Sequence, residues 1–410
     1  MKYNNFVIQL VIGLISITFS SALFNSNIPG EFDRNISVAL NPNCPDYICS
    51  NNLNNTITLV YIRANSATDS IHYLWDFTGK PSILVAVTNL NSTLSVDWDS
   101  FLNGNPNSIA FSENPIYSFI TIINTIWQFD DPDDIGELRV KNDTKMYAYN
   151  LRELTWNRTY FSHDNNQVSV DVSANVNGSD MNQIQFKFKS FASKGNGENF
   201  PHLLHISNTT QIDIVLKNLT NLFNSPRIAI ELYFVVTEKF DEKLSFNISE
   251  RRGLDDEHTP GIFEIIDILS PNTVRNGNGG YIEYRPVSYT HHERDVSTST
   301  ETHLSLPMLI TTPSIALQET LAYSIYGAKL DSFLVQSVNI SFGESEDGFY
   351  SKSNYTTWTF VMGYGVPPIQ ELSSFVVIIA TVGLGLPLVL LLIGGCFICI
   401  RNARNKAERI

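Results

Sequence analysis

The sequence predicts an all-β lumenal ectodomain of β-sandwich type, expected as two packed sandwiches, followed by one C-terminal transmembrane helix. Three observations carry this expectation. Short β-rich runs broken by Asn, Gly, Pro and Ser recur along the chain. Helical periodicity is weak before residue 374. Finally, Phe375 to Ile400 holds 26 residues without a charge, enough to cross a hydrocarbon core of about 30 Å.

In chain order, Lys2 precedes an apolar run from Phe6 to Phe19 and the small residues Ser20, Ser21 and Ala22, the pattern of a cleaved signal peptide over 1–22. Thr56 to Ala64, Ile71 to Phe77, Ile83 to Thr88 and Thr93 to Trp98 follow one another across short turn-like gaps, as in an antiparallel meander. Val168, Val170 and Val172 alternate with polar residues, as do Ile184, Phe186 and Phe188, which is the two-residue period of a half-buried strand. Further runs cover Ile228 to Val236, Gly261 to Leu269, Tyr281 to Tyr289, Phe333 to Phe342 and Tyr355 to Met362. So many strands exceed one simple sheet, and paired sandwiches accommodate them. The length suits two lumenal domains, 23–200 and 201–373, before the span at 374–400 and a tail at 401–410. Asn276 to Gly280 is dense in residues that accept positive φ and reads as a hairpin loop. His291 to Leu306, polar and with little to bury, is expected as an exposed loop or ribbon.

Charge and cysteine usage place these elements. The tail carries Arg401, Arg404, Lys406 and Arg409 against Glu408, the basic excess of a cytosolic face, which makes the chain a single-pass type I protein. The formal net charge is −14; setting aside the tail's four basic and one acidic residue and Lys2 leaves −18 for the rest. A surface that acidic argues against nucleic acid or anionic lipid as a partner. Cys44 and Cys49 are expected to form a small local disulfide in an oxidising compartment. Cys396 and Cys399 lie in the span, as apolar filling or as acylation sites.

Eleven Asn-x-Ser/Thr acceptor sites, at Asn35, Asn54, Asn91, Asn142, Asn157, Asn177, Asn208, Asn218, Asn247, Asn339 and Asn354, all fall between the two apolar segments. In a chain this rich in Asn, Ser and Thr many matches arise by chance, so their confinement to one side of the span matters more than their number.

The search for catalytic chemistry returns little. Gly343 to Gly348 lacks the glycine spacing and strand-to-helix context of a nucleophile elbow and reads as a charged turn. His202 and His205 would meet at one metal only on a helix, which the surrounding β pattern disfavours. Asp255, Asp256, Glu257 and His258 concentrate three carboxylates and an imidazole, as a solvated turn or as a site for calcium or acid–base work. His291, His292 and Asp295 lack the spacing of a zinc hydrolase. No motif specifies an enzyme, a metal site, a cofactor or a small-molecule substrate.

Longer stretches carry a family resemblance. His72 to Trp75, Val85 to Asn89 and Ser92 to Trp98 resemble the N-terminal signature of the glycosylated lysosomal membrane protein family. Leu154 to Asn157, Asp255 to Phe263, Arg285 to Tyr289, Asn339 to Gly343 and Trp358 to Pro368 are similar to that family in the same order. The resemblance implies a non-enzymatic accessory subunit in the lysosomal membrane that binds a multispanning dipeptide transporter of the major facilitator superfamily and shields it from proteolysis. It turns the acidic cluster at 255–258 into a candidate partner interface. Thr381 and Gly385, a small-xxx-small pair in the span, form a second candidate contact with the transporter. The family's tyrosine-based tail signal is missing from 401–410, so lysosomal delivery is expected to depend on the partner. The family's additional lumenal cysteines are missing from 302–307 and 333–341. A cell-surface adhesion or receptor ectodomain, and a membrane-tethered lysosomal hydrolase, are the alternatives from other classes.

Overall fold

The computed structural model describes residues 33–49, 59–140, 144–241, 243–255, 261–369 and 374–407. The signal peptide at 1–22, the acceptors Asn54 and Asn142, and Asp256, Glu257 and His258 lie outside the described residues.

Two antiparallel layers face each other across one core. The first runs in the order Asn35–Leu40, Leu59–Asn65, Asp69–Asp76, Ser82–Asn89, Tyr117–Asp130, Pro226–Lys239, Phe333–Phe342. The second runs Asn157–His163, Gln167–Asn175, Gln183–Phe191, Thr209–Lys217, Tyr355–Tyr364, Gly280–Tyr284, Gly261–Leu269, Asn247–Asp255. The strand Ser299–Leu304 joins the layers. Its first half pairs with Val287–Tyr289 and its second half with Phe333–Phe342.

Alternation places the core where the sequence expects it. Ile184, Phe186 and Phe188 point inward and are fully buried, whereas Gln185, Lys187 and Lys189 face the other way. They meet Trp75 and Phe77 of the first layer, with the Trp75 and Phe188 rings stacked 5.0 Å apart. In Tyr117–Asp130 the inward phase changes partway. Tyr117, Phe119 and Ile123 face the shared core, and a bulge at Asn124 then moves Ile126 to that side. The opposite face of the first layer is also covered. Ile120, Ile122 and Val335 pack under the helices Trp98–Leu102 and Leu321–Tyr326 and their neighbours. Burial on both faces explains why Ser82–Asn89 reads as a continuous apolar run.

The β-sandwich class and the C-terminal apolar helix, Ser374–Ala407, match expectation. The division at 200/201 needs correction. Thr209–Lys217 pairs with Gln183–Phe191, and Pro226–Lys239 pairs with Tyr117–Asp130, so both layers are woven across that position over one core. Three local expectations also change. Thr93 to Trp98 gives only a three-residue strand, Leu94–Val96, before Trp98 enters a helix capped by Asp97. The segment Asn276 to Gly280 follows the helix Pro271–Asn276, with Gly277 as its left-handed cap at φ 74°. Tyr281 to Tyr289 is broken at Pro286, which has no N–H to donate to a ladder.

Candidate functional site

Four arginines tie the long connections to the sandwich. Arg227 is buried in its strand. Its Nε lies 3.2 Å from Asp131 Oδ2, its Nη1 donates to Asp347 Oδ1 at 2.7 Å, and its Nη2 donates to Asp134 and, at 2.9 Å, to the Glu344 carbonyl. The guanidinium sits where a cation would otherwise be needed to gather three carboxylates from two loops. The charged turn at 343–348 is therefore one half of a clamp. Asp347 Oδ2 closes it by accepting from the Glu344 N–H at 2.8 Å and the Thr300 hydroxyl at 3.0 Å.

Arg294 anchors the segment 291–306, which is the exposed loop and ribbon the sequence suggests, with Ser299–Leu304 as one strand of the ribbon. Its guanidinium donates to Asp213 Oδ2 at 2.6 Å, to the Thr357 and Thr359 hydroxyls at 3.1 and 2.9 Å, and to the Phe200 carbonyl at 2.8 Å. The loop is thereby pinned across the outer face of the second layer. Arg34 serves the opposite edge. It reaches Asp69 at 2.6 Å, the Ala64 carbonyl at 3.2 Å and Asn208 Oδ1 at 2.8 Å.

The fourth tie joins three strands. Arg251, Asp267 and Glu283 stand on three adjacent strands, and Arg251 binds both carboxylates, with Nε 2.6 Å from Asp267 Oδ2 and Nη2 donating to Glu283. The same Nη2 donates to the Pro368 carbonyl at 3.0 Å, on the segment that leads to the membrane helix. Burial pushes the Glu283 carboxyl up to about 8; Arg251 opposes the shift and the neighbouring Asp267 charge adds to it. Asp267 is likewise raised, mainly by burial. Arg285 also opposes the Glu283 shift, but burial of two neighbouring carboxylates outweighs both cations, so the cluster favours holding a proton.

The predicted sites fare differently. Cys44 and Cys49 are bonded, with Cα atoms 6.1 Å apart. His202 Nδ1 lies 2.7 Å from the Gly197 carbonyl and His205 Nδ1 3.2 Å from the Ser193 carbonyl, so each imidazole closes its own turn. His205 stacks on Phe191, and burial lowers it to about 4. Among the described residues no group of three His, Cys, Asp or Glu side chains is placed to hold a metal. Asp255 ends its strand, and His291 and His292 are exposed. Gly385 lies within the long helix, where a Cβ would meet nothing within 4 Å.

A family model described as glycosylated lysosomal membrane protein matches residues 58–405. The chain belongs to the glycosylated lysosomal membrane protein family. It is 26% identical over 412 residues to the family member of Danio rerio, covering 98% of each chain. It is 26% identical over 378 residues to form A of Xenopus laevis, covering 89% of each. To that of Homo sapiens it is 24% identical over 393 residues, covering 92% of this chain and 90% of the relative. Membership makes it a lysosomal membrane protein. One helix among the described residues is long and apolar enough to span the bilayer.

For a glycoprotein family the acceptor positions matter. Asn35, Asn91, Asn157, Asn218 and Asn247 are exposed, and Asn339 and Asn354 are half-buried. Asn208 differs, because its side chain is buried against Arg34.

The disulfide was legible in the sequence. The four arginine ties were not. Their available signal was a charge inside an apolar run, as in Ile265-Ile266-Asp267-Ile268 and Tyr281-Ile282-Glu283-Tyr284. That pattern marks a buried polar group but does not name its partner.

Proposed function

We propose that this chain is a non-enzymatic accessory subunit that binds a multispanning transporter of the major facilitator superfamily in the lysosomal membrane and shields it from proteolysis. The observation that carries this reading is the pinning of the connections by Arg34, Arg227, Arg251 and Arg294. A protease needs a segment that opens locally and enters its cleft, and each tied loop must break several charge-assisted hydrogen bonds to do so. Exposed acceptor asparagines on both layers would add a glycan coat. A domain built this way can lie over a partner's lumenal loops and survive where they would be cut.

Purification of the full-length glycoprotein in mild detergent is expected to recover one polytopic transporter in near-equal amount. Cells lacking this chain are expected to degrade that transporter several-fold faster. A transporter whose lifetime is unchanged would remove the reading. In the same assay Gly385→Leu is expected to reduce recovery. The helix itself has room for the side chain, so a loss reports contact with another helix beside Thr381 and Gly385.

A further inference from the structure

We propose that the partner's lumenal segment docks as an added β-strand on the open edge of Gly261–Ile265. This rests on the accessory-subunit reading and names the surface that would carry it. The strand Gly261–Leu269 pairs with Asn247–Asp255 along its whole length, but with Gly280–Tyr284 only over Ile266–Leu269. The divergence has a local cause. Pro286 cannot donate to a ladder, the chain turns with Val287 N bonding the Arg285 carbonyl at 2.7 Å, and Val287–Tyr289 leaves to pair with Ser299–Glu301. Among the described residues nothing pairs with Gly261–Ile265 on that side.

A groove of about 490 Å³ lies along this edge. Residues from both faces of the strand line it, as a channel beside an unpaired edge requires. Phe200, Phe263 and Val287 supply apolar surface, and the Arg285 guanidinium lies 3.4 Å over the Phe263 ring, holding it in place. Exposed carboxylates of Glu250, Glu264 and Glu301 line the same groove, which Arg285 also lines, and Arg252 lies 4.0 Å from Glu264. Unpaired backbone groups beside apolar pockets select an extended peptide, and the acidic lining selects basic residues in it.

Position selects a membrane protein as its source. The Arg251 bond to the Pro368 carbonyl ties this hairpin to the chain entering the membrane, and Phe263, Ile265 and Pro368 share a cleft. Ser374, where the helix begins, follows six residues later, at most about 20 Å of extended chain. The edge is thus held close to the bilayer, within reach of a short lumenal segment of a protein embedded there. Five residues of edge accept a strand of about 17 Å. A partner strand with apolar side chains toward Phe263 and Lys or Arg toward the glutamates fits it.

Hydrogen exchange on the full-length glycosylated chain in detergent, alone and in its complex with the co-purified transporter, tests this. Amides within 261–265 are expected to exchange at least about tenfold more slowly in the complex. The exposed-residue variant Glu250→Lys/Glu264→Lys/Glu301→Lys is expected to lower transporter recovery about tenfold at unchanged Tm. If the wild-type chain recovers the transporter but 261–265 stays unprotected, or the triple variant recovers it fully, the edge proposal falls and the accessory reading stands. If the wild type recovers no transporter, both fall. Equal protection in the isolated chain at high concentration would assign the edge to a second copy and overturn the proposal.

Discussion

Glu283 and the buried histidines set opposite pH dependences, and their windows are separable. The Glu283 carboxyl rises from 4.5 to about 8 on burial, so the folded state binds its proton more tightly than the unfolded chain. The stability it contributes is complete below 4.5 and is lost as pH rises to about 8. His72, between the Tyr61 hydroxyl and the Thr88 hydroxyl at 2.8 Å each, falls from 6.5 to about 4, chiefly through burial, and His205 does the same. Their contribution is present above 6.5 and is lost as pH falls toward 4. Asp76, raised to about 6 by burial, acts below the window in which Glu283 and its neighbour Asp267 share the cluster's proton. Between pH 8 and 6.5 the apparent Tm of the wild type is therefore expected to rise on acidification. In Glu283→Gln, which mimics the protonated acid, that rise is expected to shrink by more than half when both are scanned at one heating rate. An equal slope in the variant would place the proton elsewhere. A fold whose buried acids Asp76 and Glu283 both prefer their protons suits an acidic lumen.

At the scale of elements, Gly280 shows how closely the two layers meet. It opens the strand Gly280–Tyr284, its N–H donates to the Tyr117 hydroxyl at 3.1 Å, and a Cβ there would stand 2.4 Å from Phe119 Cγ on the facing layer. Gly280→Ala forces either the ring or the strand to move. The expected loss is about 1–3 kcal/mol, seen as a lower denaturation midpoint with an unchanged denaturant slope; an unchanged midpoint would mean the ring yields freely. Such contacts explain what the sequence could not convey. Alternation identified Gln167–Asn175 and Gln183–Phe191, because each keeps one phase from end to end. Tyr117–Asp130, central to the first layer, escaped because both its faces are apolar and its phase breaks at Asn124. The helices over the first layer, Pro313–Ala316 and Leu321–Tyr326, are too short for a 3.6-residue period to register. Strand order escaped as well. Pairing between Tyr117–Asp130 and Pro226–Lys239 spans about a hundred residues, and nothing local encodes it.

Across the whole molecule, the acceptor asparagines divide by what the fold does with them. Asn35 lies on the edge strand of the first layer and Asn157 on that of the second, Asn247 on the outermost strand at the other end, and Asn91 and Asn218 on connections. Glycans there would surround the sandwich without entering it. Asn208 has the same motif but a structural task. Its Oδ1 accepts from Arg34 Nε, and Arg34 also holds Asp69 and the Ala64 carbonyl, while its backbone N–H donates to the Ala192 carbonyl at 2.8 Å. The tie closes the sandwich edge opposite Ser299–Leu304, and a glycan on Asn208 would have to displace it. Single Asn→Gln changes at Asn35, Asn91, Asn157, Asn218 and Asn247 are each expected to lower the glycoprotein mass by one glycan. Asn208→Gln is expected to leave the mass unchanged apart from the residue itself, and to cost about 1–2 kcal/mol because Arg34 loses a well-placed acceptor. Loss of a glycan in Asn208→Gln would show that the mature protein folds this edge without the Arg34 contact. The coat would then begin inside the sandwich edge rather than on its surface.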